Sequence, residues 1–172
     1  MSTAARAPRR AASSLQAGLG QMVVSDDPGD ILVVLGLGSC IGLVMHDPRA
    51  AVGGLAHVML PGSEISDGNG PEAKFADTAV PALLDAVVDR GADRGRLIVK
   101  MAGGAQMFSA GSGKGALGIG ARNGVAVRAA LDRAGLKLAA ADTGGNSGRT
   151  VEVEVGSGTV RVRLVGAEAA EL

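Results

Sequence analysis

Apolar and polar positions along the chain follow two rhythms. One is a short apolar or alternating run bounded by Gly, Pro, Asp or Asn, which predicts a strand. Residues 21–25, 31–37, 41–45, 52–60, 97–101 and 136–140 read this way. The β-branched run 31–37 breaks at Gly36 and Gly38, 41–45 closes at Asp47-Pro48, and 52–60 closes at Pro61-Gly62. The C-terminal pattern is the plainest. Val151, Val153 and Val155 alternate with Glu152 and Glu154, while Val160, Val162 and Leu164 alternate with Arg161 and Arg163. Joined by Gly156-Ser157-Gly158, these runs predict a hairpin with its aliphatic face on a core and its charges paired outside.

The second rhythm has helical spacing. Ala76, Ala79, Val80, Leu83, Leu84 and Val87 predict a helix from Asp77 or Thr78 to Arg90, stopped by Gly91. Pro81 belongs in a first turn, so the start is placed just before it. Val127, Ala130, Leu131 and Ala134 predict a second helix, opened by Asn123 as N-cap and ended at Gly135. Between the elements, 63–71 is a polar loop, and no internal repeat is visible. Hairpins combined with two helices predict a layered α/β (α+β) fold with a mixed sheet.

A length of 172 residues suits one domain. With 28 glycines and two aromatics, Phe75 and Phe108, the core must be built from Val, Leu, Ile, Ala and Met. The first twenty residues carry Arg6, Arg9 and Arg10 and no acid, which predicts a disordered basic leader, with a transit peptide as the alternative. The domain is expected over 21–166 and a flexible tail over 167–172. Lys+Arg and Asp+Glu both number 17, so the chain lacks the excess basic charge of a nucleic-acid binder. No apolar run nears the ~18 residues of a membrane span, so no membrane insertion is expected. One cysteine cannot form an internal disulfide, which points to a reducing, cytoplasmic setting. A monomer is the default.

Chemistry concentrates at Cys40, which ends the run Leu35-Gly36-Leu37-Gly38-Ser39-Cys40, and at His57, seventeen positions later in an apolar stretch. Each residue alone also suits a core: a cysteine as a small hydrophobe, a histidine as a satisfied buried ring. Together, on strands that neighbour one another in sequence, a thiol and an imidazole can form a nucleophile and its base. The G-x-G-x-x-G pattern of Gly113 to Gly118 lies too far from the preceding strand for a dinucleotide unit, and Lys114 lacks the following Ser or Thr of a phosphate loop. His46 beside Asp47, with only two histidines in the chain, makes no zinc site. No metal or organic cofactor is expected. Gly103-Gly104-Ala105-Gln106 and Gly144-Gly145-Asn146 read either as turns or as backbone donors near the site.

Taken in order, six blocks resemble the chemoreceptor glutamine deamidase (CheD) family over about 20–164. They are 35–40, 53–61, Lys74-Phe75-Ala76-Asp77-Thr78-Ala79-Val80-Pro81, 100–108, Ile119-Gly120-Ala121-Arg122-Asn123 and Gly144-Gly145-Asn146-Ser147-Gly148-Arg149. The resemblance implies packed mixed β-sheets flanked by helices, a fold shared with cytotoxic necrotising factor toxins. It implies Cys40 as nucleophile and His57 as base in a thioester route that converts receptor glutamine to glutamate, with receptor methylesterase activity as a side reaction. Backbone N–H groups near Ser39 and Cys40 are the expected oxyanion site, with Gly38 a further candidate there. Chemoreceptors and the CheC phosphatase are the implied partners. The family threonine that orients the histidine is replaced here by Val34, with Thr143 a candidate substitute. That departure sustains a rival expectation, a catalytically weak adaptor that binds receptors or CheC.

Overall fold

The computed structural model describes residues 12–107 and 118–172. Residues 113–117 of the glycine-rich pattern, and Phe108, lie outside them. Five strands, β1 (Ser14–Gln16), β2 (Met22–Ser25), β3 (Ile31–Leu37), β4 (Ile41–Asp47) and β5 (Val52–Val58), precede helix α1 (Ala76–Asp89). Strand β6 (Ile98–Gly103) leads to helix α2 (Ile119–Arg133), then β7 (Leu138–Thr143), β8 (Arg149–Glu154), β9 (Val160–Leu164) and β10 (Ala169–Glu171).

The strands form two mixed five-stranded sheets, ordered β1-β3-β8-β9-β10 and β2-β5-β4-β6-β7. Each has one parallel pair, β1 with β3 and β6 with β7, in an otherwise antiparallel ladder. Strand β4 sits at the centre of the second sheet and is buried along its whole length. Its side chains alternate between two cores. Ile41, Leu43 and Met45 join α1 and α2 residues such as Leu83, Val87, Val127 and Leu131. Val44, with Leu55 and Ala102, joins Leu32, Val34, Val151, Val153 and Val162 between the sheets. The layering is therefore sheet, sheet, helix pair, as the resemblance implied. Burying each large aliphatic side chain in these cores contributes about 1.5–3 kcal/mol.

Several boundaries differ from the sequence reading, each for a local reason. Helix α1 starts at Ala76, five residues before Pro81, so the proline lies in the second turn rather than the first. Ala76, Ala79 and Val80 are buried, and their burial draws the earlier turn into the helix. Pro81 itself is exposed, so its ring meets solvent. Helix α2 starts at Ile119, one turn before Asn123, with Gly118 as its N-cap. Residues 14–16, expected in the leader, pair with β3 as β1, and Ala17 is buried. Residues 169–171, expected in a flexible tail, pair with β9 as β10. In the predicted hairpin the valines are buried, while Leu164 is largely exposed. Its charges pair diagonally, Arg163 with Glu152 at 3.2 Å and Arg161 with Glu154.

The far end of β4 is anchored by Asp47, a fully buried carboxylate. It accepts from Arg96 Nη2 at 2.7 Å and Nε at 3.1 Å, and from the backbone N–H groups of Asp93, Arg49 and Ala50 at 2.8–3.2 Å. The Arg96 guanidinium holds this acid well below the ordinary carboxylate range. His46 next to it also has a structural bond, Nε2 to Val155 O at 2.7 Å. No cluster of three His, Cys, Asp or Glu side chains suited to a metal occurs among the described residues.

Candidate active site

Cys40 stands in the turn between β3 and β4, one residue before the strand begins. In the β4–β5 ladder Ile41 pairs with Val58 and Gly42 with His57. The ladder ends at the Ile41–Val58 pair, so Cys40 lies just beyond it, two residues before the partner of His57. Residues two apart share a face, so Cys40 and His57 both belong to the side of the sheet that meets the inter-sheet core.

Main-chain bonds brace the Cys40 turn. Gly104 N–H donates to Cys40 O and Ala105 N–H to Gly38 O, both at 2.8 Å. Gly103 makes this approach feasible: its φ is +119°, and a Cβ there would stand 2.1 Å from Cys40 O. A second tier supports the first, with Gly144 N–H donating to Gly103 O at 3.0 Å and Gln106 N–H to Gly145 O at 2.8 Å. The two glycine-rich segments thus hold the turn, and the Gly104 and Ala105 donors are committed to carbonyls rather than open to a ligand. Gly120 lets α2 join them, since a Cβ there would fall 2.5 Å from Gly104 O and 2.6 Å from Ala105 O.

Half-buried Cys40, with Gly38 and Ser39, borders a pocket of about 440 Å³ whose other lining residues include Gln106, Met107 and Ile119. Apart from Gln106, its walls are small or apolar side chains, with Met107 and Ile119 partly exposed. Burial pushes the Cys40 thiol above its ordinary pKa.

His57 is buried, and its backbone is gripped on both sides by the chain following β1: His57 N–H donates to Gln21 O at 2.9 Å, and Gly20 N–H to His57 O at 3.1 Å. Both ring nitrogens are buried and have no hydrogen-bond partner among the described residues. Burial lowers the imidazole pKa, opposed by the nearby Ala17 backbone, which favours the cation without reaching hydrogen-bond geometry to the ring. At neutral pH the raised thiol and lowered imidazole are both uncharged, so this state is not a preformed thiolate–imidazolium pair.

Val34, at the position where a threonine was expected, is fully buried in the inter-sheet core that Cys40 packs against. Thr143 is exposed at the end of β7, with β6 and β4 between it and β5. It is therefore not brought beside His57. The residue that sequence reasoning misplaced is Asn123. Rather than capping α2, it is wholly buried inside it and donates from Nδ2 to Ser39 O and Met59 O, both at 2.9 Å. The available signal was its place on the apolar stripe, four residues before Val127.

Comparison with known proteins adds the family. Residues 59–164, more than half of the chain, match the family described as CheD chemotactic sensory transduction. The chain belongs to the CheD family. It is 48% identical over 150 residues, 87% of this chain and 91% of the relative, to a protein of Symbiobacterium thermophilum named probable chemoreceptor glutamine deamidase CheD. It is 47% identical over 149 residues, 87% and 90% of the two chains, to the chemoreceptor glutamine deamidase CheD of Thermotoga maritima. A Geobacillus kaustophilus protein named as a probable deamidase of this kind is 42% identical over 163 residues, 94% and 98% of the two chains. Among the described residues, no helix is long and apolar enough to cross a membrane.

Proposed function

We propose that this CheD-family protein deamidates glutamine side chains of chemotaxis receptors, with Cys40 as nucleophile and His57 as general base. What supports the reading is Cys40 at the edge of an apolar pocket, in the turn that enters β4 two residues before Gly42, which pairs with His57. A glutamine side chain enters the pocket with its carbonyl carbon toward Sγ. His57, neutral at pH 7, takes the thiol proton as sulfur attacks, and the C–S bond forms. Backbone N–H groups at Ser39 and Cys40 receive the oxyanion. The imidazolium returns the proton to the departing nitrogen, ammonia leaves, and a thioester remains. Water, deprotonated by the same ring, attacks the thioester; glutamate is released and the thiol regains its proton.

The chemistry needs no cofactor. A glutamyl methyl ester presents the same acyl carbon, so receptor methylesterase activity belongs to the same proposal. So do a cytoplasmic location, where the receptor helices lie, and association with CheC. One observation favours the rival adaptor reading: among the described residues, no hydrogen bond joins the His57 ring to any group. Peptide mass mapping of a receptor cytoplasmic fragment incubated with the protein separates the two. Deamidation predicts Gln-to-Glu conversion that Cys40→Ala abolishes. Identical maps from wild type and variant, with receptor binding intact, leave the adaptor.

A further inference from the structure

We infer that Asn123 is a positioning residue for this reaction, its single amide holding both the main chain of the nucleophile and the main chain leading from the base. The inference rests on the deamidase reading for the identity of those two groups. The β4–β5 ladder ends at the Ile41–Val58 pair. Beyond it the strands part: Met59 N–H turns to Lys74 O at 2.9 Å, and the Ser39–Cys40 turn swings toward the pocket. Asn123 bridges this gap. It donates to Ser39 O, in the peptide just before the nucleophile, and to Met59 O, two residues beyond His57.

The amide orientation follows from chemistry, because both partners are carbonyl oxygens and only the NH₂ group can donate. In a trans peptide the N–H points opposite to the C=O. Holding Ser39 O therefore sets the direction of the Cys40 N–H and the plane from which its side chain departs. The cost of the arrangement is visible: Asn123 Oδ1 is buried and has no partner. A residue serving only to pack α2 would be apolar, like its stripe neighbours Val127 and Leu131. An acceptor left unpaired among the described residues, on an amide that grips the turn carrying the thiol, is where strain and function coincide.

The test uses Asn123→Asp, nearly isosteric but without donors, and Asn123→Ser, which keeps one. Both are measured well below their melting temperatures, beside Asp47→Asn as a destabilised control at the other end of β4. A misplacement near an ångström predicts a fall of about 100-fold in kcat for Asn123→Asp with KM little changed. It also predicts a displaced pH profile for iodoacetamide alkylation of Cys40. Asn123→Ser should recover part of both, and Asp47→Asn should alter neither. Variants that lose melting temperature but keep the wild-type kcat and alkylation profile overturn the inference. The alkylation arm decides it even if wild type proves inactive on receptors, an outcome that would count against the deamidase reading alone. A readout without variants follows the Asn123 side-chain amide by NMR in wild-type protein. The signal should shift when Cys40 is alkylated, and a stationary signal contradicts the role.

Discussion

The two ends of β4 solve opposite problems. At the Asp47 end, each oxygen of a buried carboxylate is matched by guanidinium or backbone N–H donors. Around the Cys40 end, buried polar atoms go without partners among the described residues: both ring nitrogens of His57, Oδ1 of Asn123 and Nε of Arg149. Leaving a buried polar group unmatched costs about 1–3 kcal/mol. A strand satisfied at one end and deprived at the other divides its labour. The Asp47 end secures the fold, and the proposed reaction assigns proton exchange to the Cys40 end. The burial that deprives His57 also keeps it neutral, the form a general base requires.

The sharpest way to break this comparison is His57→Gln. It should lower kcat for deamidation by about 10²–10⁴-fold, the usual worth of a general base. Thermal stability should change little, because one unmatched buried polar side chain replaces another. A large loss of melting temperature with modest kinetic loss would reverse the assignment of the two ends. Asp47→Asn should do the converse. It removes a charge-assisted network and should cost about 2–3 kcal/mol in urea unfolding while Cys40 alkylation stays as in wild type.

The smallest effect is on pH. His57 is depressed in the folded state, so the unfolded chain binds the extra proton first as pH falls. Stability should be full above the free imidazole value of about 6.5 and decline as pH drops from there toward the folded value. Asp47, also depressed, contributes stability above the free carboxylate value of about 3.9 that is lost only under stronger acid. Urea midpoints between pH 7 and 5 should therefore fall in wild type and flatten in His57→Gln. Parallel curves would show that the ring is not the titrating group.

The parts of this molecule legible in its sequence are those written in side-chain patterns. Val151 to Leu164 announced a hairpin by alternation, and the stripe from Ala76 to Val87 announced α1. Cys40 and His57 stood out as chemistry-bearing types; the register pairs His57 with Gly42, two residues beyond Cys40. What stayed hidden is carried by the backbone. The edge strands β1 and β10 are three residues each and mostly exposed, too short to show a rhythm. The grip of Gly20 and Gln21 on His57, and of Gly104 and Ala105 on the nucleophile turn, consists of N–H to C=O bonds that any residue can make. Asn123 misled for a different reason. Asparagine favours an N-cap because its side chain competes for backbone groups. Here it does bond backbone, but the carbonyls are those of Ser39 and Met59, brought to it from 84 and 64 residues away.

The central claim is that sulfur at position 40 carries the acyl group. Acid quenching of the protein with excess receptor fragment carrying a glutamyl methyl ester, followed by peptide mapping, tests it directly. The account predicts a glutamyl adduct on the peptide bearing Cys40, lost in Cys40→Ala together with turnover. An adduct on another residue, or undiminished turnover by Cys40→Ala, would contradict it.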